Sequence, residues 1–227
     1  VNRATRYLRD NGLSLGFGLL FLLALAGQAV AGHADHNDRL AAMSAPPVSF
    51  GAYVTSADFA VDVAENWQSE YLQFFLYVLL TIWLMQLGSP ESKHPRDIGL
   101  ESRSDQAVGR HARQDSPLWA RVGGWRTLLF SWSLSLTMCG LFLLSLLAQS
   151  VAGHSAYNSD QVGRLQDPVG YGEYLVSADF WNRTLQNWQS EFLAIGSMAV
   201  FSVYLRQRGS PESKPVGAAH ATTDQSG

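Results

Sequence analysis

Cysteine occurs once, at Cys139, so the chain forms no internal disulfide and carries no cysteine metal cluster. Flanked by Met138 and Gly140 in an apolar run, it reads as a small packing hydrophobe. Charge is scarce as well: Lys, Arg, Asp and Glu make up 15% of 227 residues, with a net charge of −3. That balance, with no basic face interleaved by aromatics, excludes a nucleic-acid partner. There is no Gly-rich phosphate loop, no nucleophile with a matched base and no haem-attachment cysteine pair. No catalytic residue, cofactor or metal is therefore assigned. Hydrophobic residues, in contrast, account for 47% of the chain. Mean hydropathy is near zero only because these residues gather in four runs with the charges between them.

The chain repeats itself. Asn66-Trp67-Gln68-Ser69-Glu70 returns as Asn187-Trp188-Gln189-Ser190-Glu191, an offset of 121 (187 − 66). The same offset carries Ala31-Gly32-His33 onto Ala152-Gly153-His154, and Ser56-Ala57-Asp58-Phe59 onto Ser177-Ala178-Asp179-Phe180. It also carries Gly88-Ser89-Pro90-Glu91-Ser92-Lys93 onto Gly209-Ser210-Pro211-Glu212-Ser213-Lys214. No insertion separates these blocks, so the two halves read as a tandem duplication.

Each half holds two apolar runs. Leu13 to Ala31 follows Arg3, Arg6 and Arg9 and ends Ala29-Val30-Ala31, in the manner of a secretory signal. Leu128 to Ala152 has the same construction deep inside the chain, which assigns the first copy to a retained membrane helix. The other two runs follow the Trp-Gln-Ser-Glu blocks. A bilayer core of about 30 Å needs about 20 helical residues. The spans are placed at about 13–31, 70–87, 128–152 and 190–207.

Phe59, Val63, Trp67 and Tyr71 recur every four residues, and Trp181, Leu185, Trp188 and Phe192 at nearly that spacing. Both stripes extend the second helix of their half toward the N-terminus, giving helices at about 57–87 and 178–208. Ser56 and Ser177 stand as N-caps, with Asp58 and Asp179 in the first turns, where a carboxylate favours the dipole. Trp67 and Trp188 read as interface anchors. Gly88 with Pro90, and Gly209 with Pro211, read as helix stops.

Thirteen of the sixteen Lys and Arg residues lie before the first run, between the second and third, or after the fourth. The positive-inside rule then puts both termini and the central linker in the cytoplasm. The expected fold is an all-α integral membrane protein: two tandem parallel repeats of a transmembrane hairpin, four spans. Residues 1–88 form the first hairpin, 89–120 a polar linker without fixed structure, 121–209 the second hairpin and 210–227 a tail.

On the opposite face, Gly32-His33-Ala34-Asp35-His36-Asn37-Asp38 reads as a His/Asp loop closing the first helix. Its counterpart keeps His154 and Asn158. In an antiparallel hairpin His33 is level with Glu70, and His154 with Glu191. Gln28 and Gln149 lie about a turn deeper. Such a polar group admits three readings: structural pairs that tie the hairpin mouths, a proton or ion pathway, or metal and cofactor ligation. Ser131, Ser133, Ser135 and Thr137 alternate in the third run and read as small polar residues for helix packing.

The blocks Asn11-Gly12-Leu13-Ser14-Leu15, Gly27 to His33, and the two pairs of repeated motifs resemble a domain-of-unknown-function family of bacterial four-helix inner-membrane proteins built from two such halves. The resemblance covers nearly the whole chain apart from the linker and tail. It implies a multi-pass inner-membrane protein with no assigned activity and no site residues to carry over. The leading functional reading is a non-enzymatic structural or interaction component of the membrane, partnered by the bilayer, a second copy or another membrane protein. A small ion, proton or solute transporter or channel subunit, and a metal- or cofactor-binding redox subunit, are the competing readings.

Overall fold

The computed structural model describes residues 2–225, and among these every regular element is helical. The helices are α1 (Arg3–Asp10), α2 (Gly12–Ala42), α3 (Phe50–Val54), α4 (Ala57–Leu80), α5 (Leu118–Arg121), α6 (Gly124–Ser131), α7 (Ser133–Gly163), α8 (Tyr171–Leu175) and α9 (Ala178–Tyr204). Adding 121 to the bounds of α1, α2 and α3 gives those of α6, α7 and α8, and adding it to the start of α4 gives that of α9. Two helices, α2 and α7, are long and apolar enough to cross a membrane.

The starts are set by local chemistry. Ser56 Oγ accepts from the Phe59 N–H at 3.3 Å, and Ser177 Oγ from the Phe180 N–H at 3.2 Å. Each satisfies one of the N–H groups that a helix leaves unpaired at its first turn.

The ends differ from the sequence expectation at three places. The His/Asp segment 32–38 is helix, not loop, and α2 runs on to Ala42. Nothing breaks it before Pro46, and Asp35 pairs with Arg39 one turn on at 3.2 Å. The helix expected to reach 87 stops at Leu80. Thr81 turns its hydroxyl back to the Tyr77 carbonyl at 2.8 Å, and the Gly99 N–H takes the Ile82 carbonyl at 2.7 Å. The helix expected to reach 208 stops at Tyr204, where the Arg206 guanidinium caps the carbonyls of Val203 and Leu205 at 3.0 and 2.8 Å. Gly88 and Gly209 are thus not helix caps. They take φ of +86° and +83° in turns beyond the helices, each followed by its proline.

Those turns are built alike. The Gln86 N–H donates to Ser92 Oγ at 3.0 Å, and the Gln207 N–H to Ser213 Oγ at 2.9 Å. The Glu91 N–H donates to Ser89 Oγ at 3.3 Å, and that of Glu212 to Ser210 Oγ at 3.2 Å. Lys93 Nζ then donates to the Gly99 carbonyl and Lys214 Nζ to the His220 carbonyl, both at 2.8 Å. The lysine thereby folds the chain that follows it back onto the turn. The linker consequently carries fixed turns, a 3-10 turn at Gly109–His111 and α5, and the tail returns its Thr223 hydroxyl to the Gly88 N–H at 2.9 Å.

The chain divides into two compact units, Val1–Val63 with Ala152–Pro168, and Ala64–Val151 with Val169–Gly227. Neither unit coincides with one half of the sequence. Tyr53 and Val61 are buried in the first; Leu72, Tyr174, Phe180 and Val203 in the second.

Candidate functional site

In the first unit, His33 on α2 faces the turn before α3. Its Nε2 lies 2.8 Å from the Val48 carbonyl, which can only accept, and 3.0 Å from Nδ2 of Asn37. Asn37, one turn along, clamps the same residue from both sides: it donates to the Val48 carbonyl at 3.1 Å and accepts from the Val48 N–H at 2.8 Å. Thus His33 uses Nε2 on backbone rather than on a carboxylate. His154 Nε2 lies 2.9 Å from Asn158 Nδ2, the same i, i+4 pairing in the second copy. Tyr53 is buried against His33, His36 and Phe59, with its hydroxyl over Gly32 where no Cβ would fit. Burial, then the Asp62 carboxylate, pushes the Tyr53 phenol above its ordinary range. Gln28 lies half-buried on α2.

The second unit brings three of the duplicated residues, Gln68, Gln149 and Trp188, together with Thr184. The Trp188 indole N–H donates to Gln68 Oε1 at 2.8 Å. One turn earlier on α9, Thr184 Oγ1 donates to the Phe180 carbonyl at 2.8 Å and accepts from Gln149 Nε2 at 3.1 Å. Indole N–H is donor only, and the Thr184 proton is already spent, so both amide orientations are locked. Among the described residues Gln68 Nε2 and Gln149 Oε1 have no partner, on side chains with 0% exposure. This polar layer joins α4, α7 and α9.

One turn further along α4, Glu70 and Glu191 approach the same amide. With its nitrogen facing the two carboxylates, Gln73 donates to Glu70 Oε2 at 3.3 Å and to Glu191 Oε2 at 2.7 Å. A neutral amide between two carboxylates replaces part of their lost hydration and holds them apart.

At the N-terminal end of α9, Arg183 reaches Glu65 at 3.1 Å and Asp179 at 3.6 Å. The Tyr174 hydroxyl donates to Asp179 Oδ2 at 3.4 Å. Burial first, and then the Asp179 carboxylate, raises the Tyr174 phenol well above its ordinary range. Asp179 therefore holds a tyrosine and an arginine as well as facing the helix start. Trp67, on α4, is exposed. Among the described residues no group of three or more His, Cys, Asp or Glu is placed to hold a metal ion. The helical course of segment 32–38 accounts for this locally: it turns successive side chains 100° apart.

The chain belongs to the family described as a domain of unknown function, DUF6766, whose model matches residues 4–225. No curated protein and no solved structure matches it. The DUF6766 match spans the linker and nearly all of the tail as well as both repeated halves, so the turns after α4 and α9 are part of what the family model describes.

Sequence reasoning missed Tyr53, Tyr174 and Gln73. The tyrosines had a signal: Gly51-Ala52-Tyr53 and Gly172-Glu173-Tyr174 stand at the same offset of 121, each three residues before its capping serine. Gln73 had none, because its counterpart is Ala194.

Proposed function

We propose that this DUF6766 protein is a multi-pass protein of the bacterial inner membrane that serves as a non-enzymatic structural or interaction component. Two tandem parallel hairpins give four spans, with both termini and the linker in the cytoplasm and the lipid bilayer as partner. The observation that carries this reading is the outward face of α2 and α7. Only 6% and 17% of their apolar windows are buried within the chain. Each has 31 residues, about 46 Å of helix, against a hydrocarbon core of about 30 Å. Such a surface is stable in lipid and unstable in water. α4 and α9, with 24 and 27 residues, supply the other two spans. The polar residues within them are engaged by amide, indole and hydroxyl partners, in the manner of helix-joining contacts.

Topology mapping tests the reading. Cys139 is replaced by Ser, and single cysteines are placed at Ser104, Gln166 and Met43. In intact cells a membrane-impermeant maleimide labels positions 43 and 166 and not 104. Labelling of all three, or of none before lysis, overturns the four-span arrangement.

A further inference from the structure

A cavity of about 450 Å³ opens in the second unit between the end of α4, the linker, α6 and the start of α7. Its size falls in the range of about 300–1,000 Å³ that small-molecule sites occupy. Its two sides differ in chemistry. The helices contribute Val78, Leu128 and Leu134 and the turn after α4 contributes Ile82, whereas the linker contributes Lys93, Glu101, Arg103 and Gln106. Ser131, at the end of α6, and Ser135, in the first turn of α7, also line it.

The charges do not cancel. Lys93 Nζ pairs with Glu101 at 2.8 Å, and Gln106 donates to the same carboxylate. Asp105, nearby in the linker, accepts from the Ser102 hydroxyl at 2.6 Å. The Arg103 guanidinium has no carboxylate, hydrogen-bond or ring partner among the described residues; only its backbone carbonyl is engaged, by the Val108 N–H at 3.1 Å. One guanidinium is thus left at the rim of a cavity whose other side carries Val78, Ile82, Leu128 and Leu134 beside the Ser131 and Ser135 hydroxyls. Guanidinium matches a phosphate diester in charge and geometry, and the aliphatic wall matches an acyl chain.

We infer that this cavity is a binding site for one anionic phospholipid, its phosphate on Arg103 and an acyl chain along Val78, Ile82 and Leu134. The inference rests on the membrane reading above for the source of the lipid. It also explains why the linker is folded over the ends of the helices: the linker supplies the headgroup side of the site.

The test uses the full chain in detergent and a water-soluble short-chain phosphatidylglycerol, below its micelle concentration. Native mass spectrometry or calorimetry measures retention against the matching phosphatidylcholine and against glycerol phosphate. Phosphatidylglycerol is expected to bind about tenfold tighter than phosphatidylcholine, whose phosphate is the same but whose choline adds a cation beside Arg103. Glycerol phosphate is expected not to compete. Arg103→Gln removes the preference for the anion, and Ser135→Trp, which fills the cavity, removes binding of both lipids. Equal affinity for both lipids, an unchanged preference in Arg103→Gln, or competition by glycerol phosphate overturns the site. If Ser135→Trp fails to fold, the wild-type comparison and Arg103→Gln decide alone. Because the lipid is soluble, failure here is separate from failure of the topology measurement.

Discussion

The indole N–H of Trp188 donates to Oε1 of Gln68 at 2.8 Å, so the tryptophan of the second repeated block meets the glutamine of the first. Trp67 and Gln189, their counterparts, are exposed. One copy of the tryptophan and one copy of the glutamine face the helix junction, and the other copies do not.

Trp188→Phe removes the donor and leaves both ends of the buried Gln68 amide unpaired. The expected cost is about 1–3 kcal/mol, seen as a lower unfolding temperature in detergent. Gln68→Leu should then recover part of that loss in the double variant, because the unpaired amide is gone. An additive double variant would argue against the bond.

Gln73→Leu withdraws the amide between Glu70 and Glu191 and leaves two carboxylates facing each other. The variant should be destabilised by about 1–3 kcal/mol. Adding Glu191→Gln should restore most of the stability, since one charge is removed and an amide donor returned. Purified yield and thermal unfolding of the three proteins provide the comparison.

Gly32→Ala drives a methyl group into the Tyr53 hydroxyl. Against a gain of about 1 kcal/mol in helix propensity stands an overpacking cost of about 1–3 kcal/mol. Tyr53→Phe removes the atom in the way, so Gly32→Ala should be tolerated in that background and damaging in the wild type.

Gly88 and Gly209 both need positive φ, which costs an alanine about 1 kcal/mol at either site. Only at Gly88 would the Cβ also overlap the His220 carbonyl. Gly88→Ala should therefore destabilise more than Gly209→Ala, and should loosen the tail, read as faster proteolysis near Thr223.

Glu212 has its pKa raised above 4.5, first by a hydrogen bond to Glu91, then by the charge of Glu91 and by burial. A carboxyl that binds its proton more tightly when folded adds stability below its unfolded pKa and loses it as pH rises through the folded value. Stability should thus fall as pH is raised from 4.5 through the units just above. Glu212→Gln should flatten that part of the profile in a thermal scan, while a profile unchanged by the substitution would place the titration elsewhere.

The sequence by itself determined the repeated blocks, the helical class and the starts of α4 and α9, because these rest on local chemistry. A serine at an N-cap bonds its own backbone three residues on, and apolar spacing declares a helix wherever the helix packs. The family was legible from the same repeated blocks. Helix ends and polar partners were decided only in the tertiary structure. α4 stops at Leu80 because Gly99, from the linker, takes the Ile82 carbonyl. His33 binds Val48 because α3 folds its preceding turn onto α2, and Asn37 completes the clamp. Glu70 and Glu191 share Gln73, a residue the duplication does not repeat. Hydrogen bonds between residues about 120 positions apart depend on how helices pack, and spacing along one chain carries no record of that.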